Sequence, residues 1–323
     1  MSSDTSHPQN RLFAFGYGYT ADFLGRALLE KGDWSLSGTT RDTHKRSALR
    51  ARGIDAYLFT EEKPLGDPLA MLDGVTHILI STPPDKEGDV VYRLHGDDLR
   101  RIPTLKWIGY LSTTSVYGDR DGQFVDESAE LRPTSIRGSR RVRAENDWRN
   151  FEQESGIPVD IFRMAGIYGP GRSALDSVRA GIKRRILKAG HTFSRVHVDD
   201  VVDVLIKILQ KPTSSKGAIY NIADDEAAPS HEVIAYACRL LNQDPPPLVP
   251  FEEANLAPIT LSFYSDNKQI KNNKIKHDLN VTLSYPNYRV GLEACLAEER
   301  IYEEKKIDPP WILQLNPDTG SAV

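Results

Sequence analysis

Cysteine is scarce in this sequence, since only Cys238 and Cys295 occur among 323 residues and they form no Cys-x-x-Cys motif. Isolated cysteines in apolar surroundings predict buried free thiols rather than a disulfide or a metal site. Long apolar runs are also missing, and none approaches the roughly 20 residues that cross a bilayer. The opening residues MSSDTSHPQN lack the basic and apolar regions of a secretory signal. We therefore expect a soluble, cytoplasmic protein without a membrane partner.

An excess of positive charge is absent as well. The formal net charge is -4, with 39% hydrophobic and 27% charged residues. This composition is that of an ordinary globular protein, and it gives no electrostatic reason to expect a nucleic-acid partner. A chain of this length can form one large α/β unit or two closely packed lobes.

Short apolar runs alternate with segments of helical period through the first half of the chain. Several of these runs are almost continuously apolar, as in strands that are covered on both faces. The alternation predicts an α/β fold with a doubly wound parallel sheet, whose ligands bind at the carboxyl ends of the strands. The predicted strands are Arg11–Phe15, Trp34–Thr39, Asp55–Phe59, Thr76–Ser81, Lys106–Ser112 and Val159–Met164, and the predicted helices are Thr20–Lys31, Thr43–Arg52 and residues 139–154.

The pattern loosens after about residue 168. We expect a cofactor-binding domain over residues 11–168 with parts of 190–225, and a smaller lobe, mainly for substrate, over 169–300. Residues 1–10 and 303–323 are predicted tails. The predicted elements of this half are a basic helix near Ser177–Leu187, a strand-like Thr192–Val198, a helix Asp200–Leu209, a strand Ala218–Ile222, a helix Ser230–Leu241 capped by Ser230, and a stiff connector QDPPPLVPF.

The segment FAFGYGYTADFLG contains a Gly-x-Gly-x-x-Ala pattern formed by Gly16, Gly18 and Ala21. The first glycine permits a tight turn, the second permits close approach of a pyrophosphate, and the small third residue permits close packing of helix and strand. At the helix start, Tyr19 and Thr20 would place backbone N–H groups toward the phosphates. Because the pattern follows a strand and opens a helix, it predicts a dinucleotide site; the alternative is a purely structural turn.

The second strand runs into GTTRD. Residues at this strand end are expected to determine whether NAD(H) or NADP(H) binds. Arg41 can bind a phosphate bidentately, and the Thr39 and Thr40 hydroxyls can add donors, which favours NADP(H) over NAD(H). Asp42 is more consistent with a cap of the next helix. The alternative for Arg41 is a solvated surface cation. At the end of the fourth strand, Ser81 and Thr82 would lie beside the cofactor ribose.

Four separated motifs resemble the extended short-chain dehydrogenase/reductase superfamily, which includes the nucleotide-sugar epimerases and dehydratases. They are GYGYTA, YLSTTSVYG, FRMAGIYGPGR and RVHVDD, and GTTR, STPP and YPNYRVGL are similar to its atypical branch. The resemblance covers roughly residues 11–300. It implies a Rossmann-type sheet with a carboxyl-terminal substrate lobe, a nicotinamide cofactor and a small-molecule substrate. Members are often homodimers.

The resemblance also implies roles for individual residues. Thr113 matches the Ser or Thr that polarises a substrate oxygen in typical members; the alternative is a threonine that only hydrogen-bonds to backbone at the strand end. Ala165, with Met164 and Gly166, would lie beside the nicotinamide. The RVHVDD segment would be largely structural, with His197 packed in the fold, Asp199 and Asp200 as helix caps and Arg195 as a candidate contact for a substrate anion.

The sequence departs from the superfamily at its Tyr-x-x-x-Lys pair, whose lysine lowers the pKa of the tyrosine so that it can exchange a proton with the substrate. The matching region, residues 132–148, contains neither tyrosine nor lysine. An ungapped placement puts Arg137 at the tyrosine position and Arg141 at the lysine position. Arginine stays protonated and cannot serve as an ordinary general base.

Three interpretations remain open. The first is an NADP(H)-dependent oxidoreductase or epimerase/dehydratase-like enzyme with a relocated acid, for which the candidates are Tyr117, Tyr168, Tyr19 and His191. The second is an enzyme whose arginine cluster binds an anionic substrate, the cluster being Arg137, Arg140, Arg141 and Arg143. The alternative for this cluster is a solvated helix face. The third is a non-catalytic NADP(H)-binding redox sensor or regulatory protein. No metal is expected in any of them.

Overall fold

A computed structural model describes residues 10–211 and 216–311 of the chain. The amino-terminal part alternates strands and helices as the periodicity predicts. Its elements are β1 (Asn10–Phe15), α1 (Tyr19–Lys31), β2 (Trp34–Thr40), α2 (Thr43–Ala51), β3 (Asp55–Leu58), α3 (Pro68–Met71), β4 (His77–Ile80), α4 (Val90–Arg100), β5 (Trp107–Thr113), β6 (Phe124–Val125), α5 (Ile136–Ser155) and β7 (Val159–Met164).

The carboxyl-terminal part consists of shorter elements and one long final helix. They are β8 (Gly166–Tyr168), α6 (Ala174–Arg179), β9 (Arg185–Leu187), β10 (Arg195–His197), α7 (Val198–Leu209), β11 (Ile219–Ile222), α8 (Ser230–Leu240), β12 (Leu248–Pro250), α9 (Pro258–Tyr264), β13 (Gln269–Ile270), α10 (Asn273–Leu279) and α11 (Tyr288–Lys305). Of the predicted tails 1–10 and 303–323, residues 1–9 and 312–323 lie outside the described residues. Asn10 begins β1 instead, and Glu303 to Lys305 belong to α11.

Seven strands form one parallel sheet in the order β11-β7-β5-β4-β1-β2-β3. Within it, Ala14 of β1 is in register with Gly38 of β2 on one side and with Leu79 of β4 on the other. The chain runs from β1 outward to β2 and β3, and then returns to β4 on the opposite side of β1. The connections after β1 and β4 therefore diverge, and a crevice opens at such a switch point. The α/β, Rossmann-type fold class is confirmed.

Contacts divide the chain into two compact units. The first comprises Met1–Ser112, Arg140–Phe162 and Leu205–Ile219, and the second comprises Thr113–Ser139, Arg163–Val204 and Tyr220–Val323. Residues 113–139 and 163–168 thus group with the carboxyl-terminal part, rather than with the cofactor-binding domain expected over 11–168. The functional division into cofactor-binding and substrate-binding parts stays a prediction.

Each unit has its own apolar core. In the first, strand residues such as Phe15, Ile80 and Ile108 pack with Trp148 and Phe151 of α5. The core of the second contains Tyr168, Leu175, Leu292 and both cysteines. Cys238 and Cys295 are buried and free, as predicted.

One predicted helix and one predicted helix cap are wrong. The basic helix near Ser177–Leu187 ends at Arg179, and Arg185–Leu187 instead forms β9, which pairs with β12 inside the predicted connector. Gly181 has φ +75°, a conformation that ends a helix, and β9 was hidden because its partner lies some sixty residues away. Ser230 is the first helical residue of α8 rather than its cap; Pro229 precedes it and makes no side-chain hydrogen bond.

Candidate functional site

The turn after β1 has the tight geometry that its glycines predict. Gly16 has φ +82°, where a side chain is strained, and a Cβ there would lie 3.1 Å from Cγ2 of Thr82. The N–H of Gly16 donates to Oγ1 of Thr39 (2.9 Å), and the N–H of Tyr17 donates to the carbonyl oxygen of Thr39 (2.7 Å). The turn is therefore attached to the end of β2.

Gly18 is the N-cap residue of α1, and as a glycine it offers no side chain to cap the helix. A Cβ at Gly18 would approach only the carbonyl oxygen of Gly16, at 3.8 Å, so the surroundings are open. The first-turn residues Tyr19, Thr20 and Ala21 follow, and the positive end of the helix dipole lies at their N–H groups. Such a helix start attracts an anionic group.

The end of β4 lies directly against this turn. The N–H of Ser81 donates to the carbonyl oxygen of Phe15 (2.9 Å), which continues the pairing of β4 with β1. Oγ1 of Thr82 is buried, and within residues 10–211 and 216–311 it has no hydrogen-bond partner. A buried hydroxyl without a partner costs stability, so a ligand that hydrogen-bonds to it would be favoured. The glycine turn, the start of α1 and Thr82 together form a cradle suited to a nucleotide, and the residues present fit one.

The residues predicted to favour NADP(H) over NAD(H) lie at the end of β2. Asp42 caps α2 through the N–H of Lys45 (2.7 Å), as predicted, and this hydrogen bond lowers the pKa of the Asp42 carboxyl. Oγ1 of Thr40 accepts from the N–H of Asp42 (3.2 Å). Arg41 is exposed, and it makes no ion pair or hydrogen bond within the part of the chain that the structure describes.

Other arginines near the turn are already paired. Arg52 contacts the buried carboxylate of Asp22 at 2.8 Å, and Arg26 contacts it at 3.4 Å. Because these two cations share a buried counter-ion, they are not available in the way that Arg41 is. Arg41 lies at the strand end, as the sequence predicts. The ion pairs of Arg26 and Arg52 with Asp22 are visible only in the folded chain.

Arg141, which the sequence predicts at the lysine position of the Tyr-x-x-x-Lys pair, is held by β5. Its Nη1 donates to the carbonyl oxygen of Leu111 (2.7 Å) and to the hydroxyl of Tyr110 (3.0 Å). One turn further along α5, Oε1 of the buried Glu145 accepts from Oγ of Ser112 at 2.5 Å. Arg141 is therefore engaged with the strand, and its contacts are those of a residue that holds β5 in place.

The remaining predicted site residues belong to the second unit. Thr113 ends β5, and its Oγ1 accepts from the N–H of Ser115 (3.3 Å) at the start of a short 3₁₀ helix, Thr114–Tyr117. Arg137 is exposed on the first turn of α5, whereas the adjacent Gly138 packs against the backbone of Ser115. Ala165 is buried, and its N–H donates to the carbonyl oxygen of Ile222 (2.9 Å).

The candidates for a relocated acid differ in environment. The hydroxyl of Tyr117 is buried between Arg163 (2.9 Å) and Asn221 (2.7 Å), and burial raises its pKa to about 12. Burial also raises the pKa of Tyr168, whose hydroxyl lies 3.5 Å from the carbonyl oxygen of Asn287. For His191, burial and then the charge of Lys188 lower the pKa to about 4. None of these three environments favours proton exchange near neutral pH. Tyr19 packs against Phe23, with 4.8 Å between ring centroids.

The RVHVDD segment is built into the second unit. The buried Arg195 donates to the carbonyl oxygens of Phe193 and Ala228, both at 2.9 Å, rather than facing open space. His197 packs 3.9 Å from the ring centroid of Tyr285. Asp200 lies inside the first turn of α7 rather than at its cap, and accepts from two backbone N–H groups of residues 284 and 285. These contacts hold the fold together.

Sequence reasoning missed Tyr17, Gly25 and Gly38, which lie behind the glycine turn. The only sequence signal was Gly25 itself, because glycine inside a helix is unfavourable and calls for a packing reason. Thr39 is predicted only as a hydroxyl donor to the cofactor, but its Oγ1 accepts from the N–H of Gly16 and so holds the turn.

The described residues contain neither a cluster of metal ligands nor a membrane-crossing helix. Among residues 10–211 and 216–311, no group of three or more His, Cys, Asp and Glu side chains is arranged to hold a metal ion. In the same residues, no helix combines the length and the apolar character that a membrane crossing requires.

Comparison with known proteins agrees with this geometry. A model of the NAD dependent epimerase/dehydratase family matches residues 106–223. Protein YeeZ of Escherichia coli (strain K12) is 32% identical over 247 residues, which covers 72% of this chain and 84% of that protein. A structure of a functionally unknown conserved protein from Silicibacter pomeroyi is 47% identical with a TM-score of 0.82, and covers 90% of this chain and 99% of that one.

A more distant structure shares the fold. UDP-glucuronic acid 4-epimerase from Bacillus cereus, in complex with NAD, has a TM-score of 0.73 at 16% identity. The alignment covers 93% of this chain and 99% of that chain. At this identity the likeness concerns the arrangement of strands and helices.

Proposed function

The chain belongs to the NAD-dependent epimerase/dehydratase family of the extended short-chain dehydrogenase/reductase superfamily, and we propose that it is an NADP(H)-dependent enzyme with an atypical active site. Its chemistry would be that of an oxidoreductase or an epimerase/dehydratase, acting on a small polar substrate of the nucleotide-sugar type. The family membership supports the class of reaction, and the residues of this chain support the cofactor.

The observation that carries the proposal is the cradle at the switch point of the sheet. Gly16 and Gly18 would let a pyrophosphate approach the start of α1, where Tyr19, Thr20 and Ala21 offer the helix end. The buried, unpartnered hydroxyl of Thr82 and the neighbouring Ser81 would bind a ribose. When bound, a nicotinamide cofactor carries the hydride.

Arg41 supports the phosphorylated form of the cofactor. A guanidinium binds a phosphate through two parallel hydrogen bonds, and Arg41 stands at the end of β2 without a counter-ion among the described residues. The hydroxyl of Thr40 lies one residue earlier. NAD(H) lacks the 2′-phosphate, so it would gain nothing from Arg41.

The proposed roles at the reacting end follow the family pattern. Thr113 would polarise a substrate oxygen, Ala165 would lie beside the nicotinamide, and Arg137 is exposed as a cation for an anionic substrate. Arg141 would act through β5, because its Nη1 donates to the carbonyl oxygen of Leu111 and to the hydroxyl of Tyr110. A homodimer is the assembly that the family suggests.

One observation favours a second candidate, an NADP(H)-binding redox sensor. Residues 132–148 contain neither tyrosine nor lysine. The proposed placement puts Arg137 and Arg141 at the positions of the Tyr-x-x-x-Lys pair, and Nη1 of Arg141 donates to the carbonyl oxygen of Leu111 at the end of β5. A sensor could lack this proton relay and still bind its cofactor.

The test begins with fluorescence titration of NADPH and NADH. We expect tighter binding of NADPH, and we expect Arg41→Ala to weaken it by roughly 10–100-fold, the worth of a charge-assisted phosphate contact, while NADH binding stays unchanged. Arg50→Ala is the matched control, since Arg50 is an exposed arginine on α2 whose Nε donates to the carbonyl oxygen of Ala56. Equal affinity for both cofactors in the wild-type protein would contradict the NADP(H) proposal.

Turnover separates the enzyme from the sensor. The assay follows hydride consumption or sugar interconversion across a panel of carbonyl compounds and nucleotide sugars. Turnover of any member supports the enzyme. Tight NADPH binding without turnover, together with a partner protein captured only in one redox state of the cofactor, supports the sensor instead.

A further inference from the structure

Tyr17, the residue between the two glycines of the turn, points into the protein rather than toward a ligand. It is 2% exposed. Its Oη atom is buried and finds no hydrogen-bond partner in the part of the chain that the structure describes. Hydrogen bonding therefore does not explain why an aromatic side chain is buried at this position. We attribute its burial to packing contacts.

The tyrosine ring occupies space that two glycines leave empty. A Cβ at Gly25 of α1 would lie 2.0 Å from Oη of Tyr17. On the other side, a Cβ at Gly38 of β2 would lie 3.0 Å from Cδ2 of Tyr17 and 2.6 Å from the carbonyl oxygen of Ala14. The ring thus fills a slot whose walls are the helix that follows the turn and the strand that anchors it.

Gly25 has no local reason to be a glycine. It lies in the middle of α1, where glycine is a poorer helix former than every residue except proline. Its φ is not positive, so the backbone does not require it. The close approach of Tyr17 Oη, at 2.0 Å from a Cβ at Gly25, is the strongest remaining reason, and Cδ1 of Leu36 follows at 3.1 Å.

We propose that Tyr17, Gly25 and Gly38 form a wedge that positions the phosphate-binding turn, and that Gly25 thereby controls cofactor affinity without touching the cofactor. The backbone of Tyr17 is tied to β2 through the carbonyl oxygen of Thr39, and its side chain is fixed against α1. A side chain at residue 25 would push the ring out and move both adjacent glycines. This inference rests on the proposed function, since it presumes that the turn binds a nicotinamide cofactor.

Gly25→Ala, Tyr17→Phe and the double variant test the wedge. Gly25→Ala should weaken NADPH and NADH by the same factor, at least about tenfold, because the turn serves the pyrophosphate that both share. Tyr17→Phe should bind like the wild type. The double variant should recover affinity to within about threefold, since without Oη the nearest ring atom, Cζ, lies 3.1 Å from the added methyl group.

Gly96→Ala is the matched control. Gly96 also lies within a helix, α4, but a Cβ there would be 3.6 Å from its nearest neighbour, Nη1 of Arg100. This variant should leave both affinities unchanged. If helix propensity were the only effect of the substitution, Gly25→Ala would also leave both cofactor affinities unchanged. Equal affinities in Gly25→Ala and Gly96→Ala would therefore overturn the wedge.

Hydrogen exchange of the apo protein gives a readout that does not depend on the cofactor. The amide of Tyr17, which donates to Thr39, should exchange faster in Gly25→Ala and should return to the wild-type rate in the double variant. A double variant that stays as impaired as Gly25→Ala refutes the role of Tyr17. If the wild type binds neither NADPH nor NADH, the proposed function fails, and the exchange rates alone decide whether the wedge exists.

Discussion

Replacing Arg141 by methionine should cost stability, because the structure uses this arginine to hold the end of β5. The guanidinium donates to the Leu111 carbonyl oxygen and the Tyr110 hydroxyl, and methionine removes both hydrogen bonds while keeping most of the apolar stem. A hydrogen bond from a charged donor contributes about 1.5–3 kcal/mol. Arg141 is only partly buried, so we take the lower end and expect a loss of about 3 kcal/mol in total.

A loss of this size is measurable by thermal and urea unfolding. With an unfolding entropy of about 2 cal/mol/K per residue, it corresponds to a fall in Tm of about 4 °C for this chain. Arg137→Met is the matched control on the same helix, and because Arg137 is exposed its unfolding free energy should change by no more than about 0.5 kcal/mol. If Arg141→Met kept the wild-type Tm and urea midpoint but abolished turnover, Arg141 would be a catalytic cation and the structural reasoning would be refuted.

Two other predictions concern pH and the reacting end of the site. Burial raises the pKa of Asp89 to about 6, above its ordinary 3.8, although the Val91 and Tyr92 N–H groups donate to it. The folded state therefore binds the extra proton between about pH 4 and 6, and stability should fall by up to about 3 kcal/mol as pH rises through that window. Asp89→Asn should flatten this fall in urea midpoints measured at pH 4.5 and 7, and an unchanged slope would argue against a raised pKa. Thr113→Val, in turn, should lower kcat at least about 100-fold on whatever substrate the panel identifies, with NADPH affinity unchanged, because it removes a polarising hydroxyl. Full activity of this variant would exclude Thr113 from the reaction.

The strands of the sheet and the glycine turn could be predicted because their signals are local. Apolar runs bounded by helical segments indicate buried parallel strands, and β7 was predicted with the bounds that the structure has. The pairing of β9 with β12 could not be predicted, since each strand has three residues and neither has a strong pattern. Short strands acquire their identity from the partner they pair with.

The candidate site shows the same division. Spacing alone located Gly16, Gly18 and Arg41, because turn conformation and strand-end position depend on near neighbours in the chain. Spacing could not show that Thr82 would contact Gly16, or that its hydroxyl would be left without a partner. Nor could it show that Nη1 of Arg141 would donate to β5, since these contacts join residues that are distant in sequence.

Local sequence signals therefore predict the fold class, the glycine turn after the first strand and a departure from the Tyr-x-x-x-Lys pair. Contacts between distant residues instead determine that Arg52 pairs with Asp22, that the Thr82 hydroxyl has no partner among the described residues and that Tyr17 lies close to Gly25 within α1. These two groups of features differ in the range of the interactions that produce them. Backbone conformation and apolar periodicity are set within a few residues, whereas pairing of charges and filling of space depend on which elements the fold brings into contact.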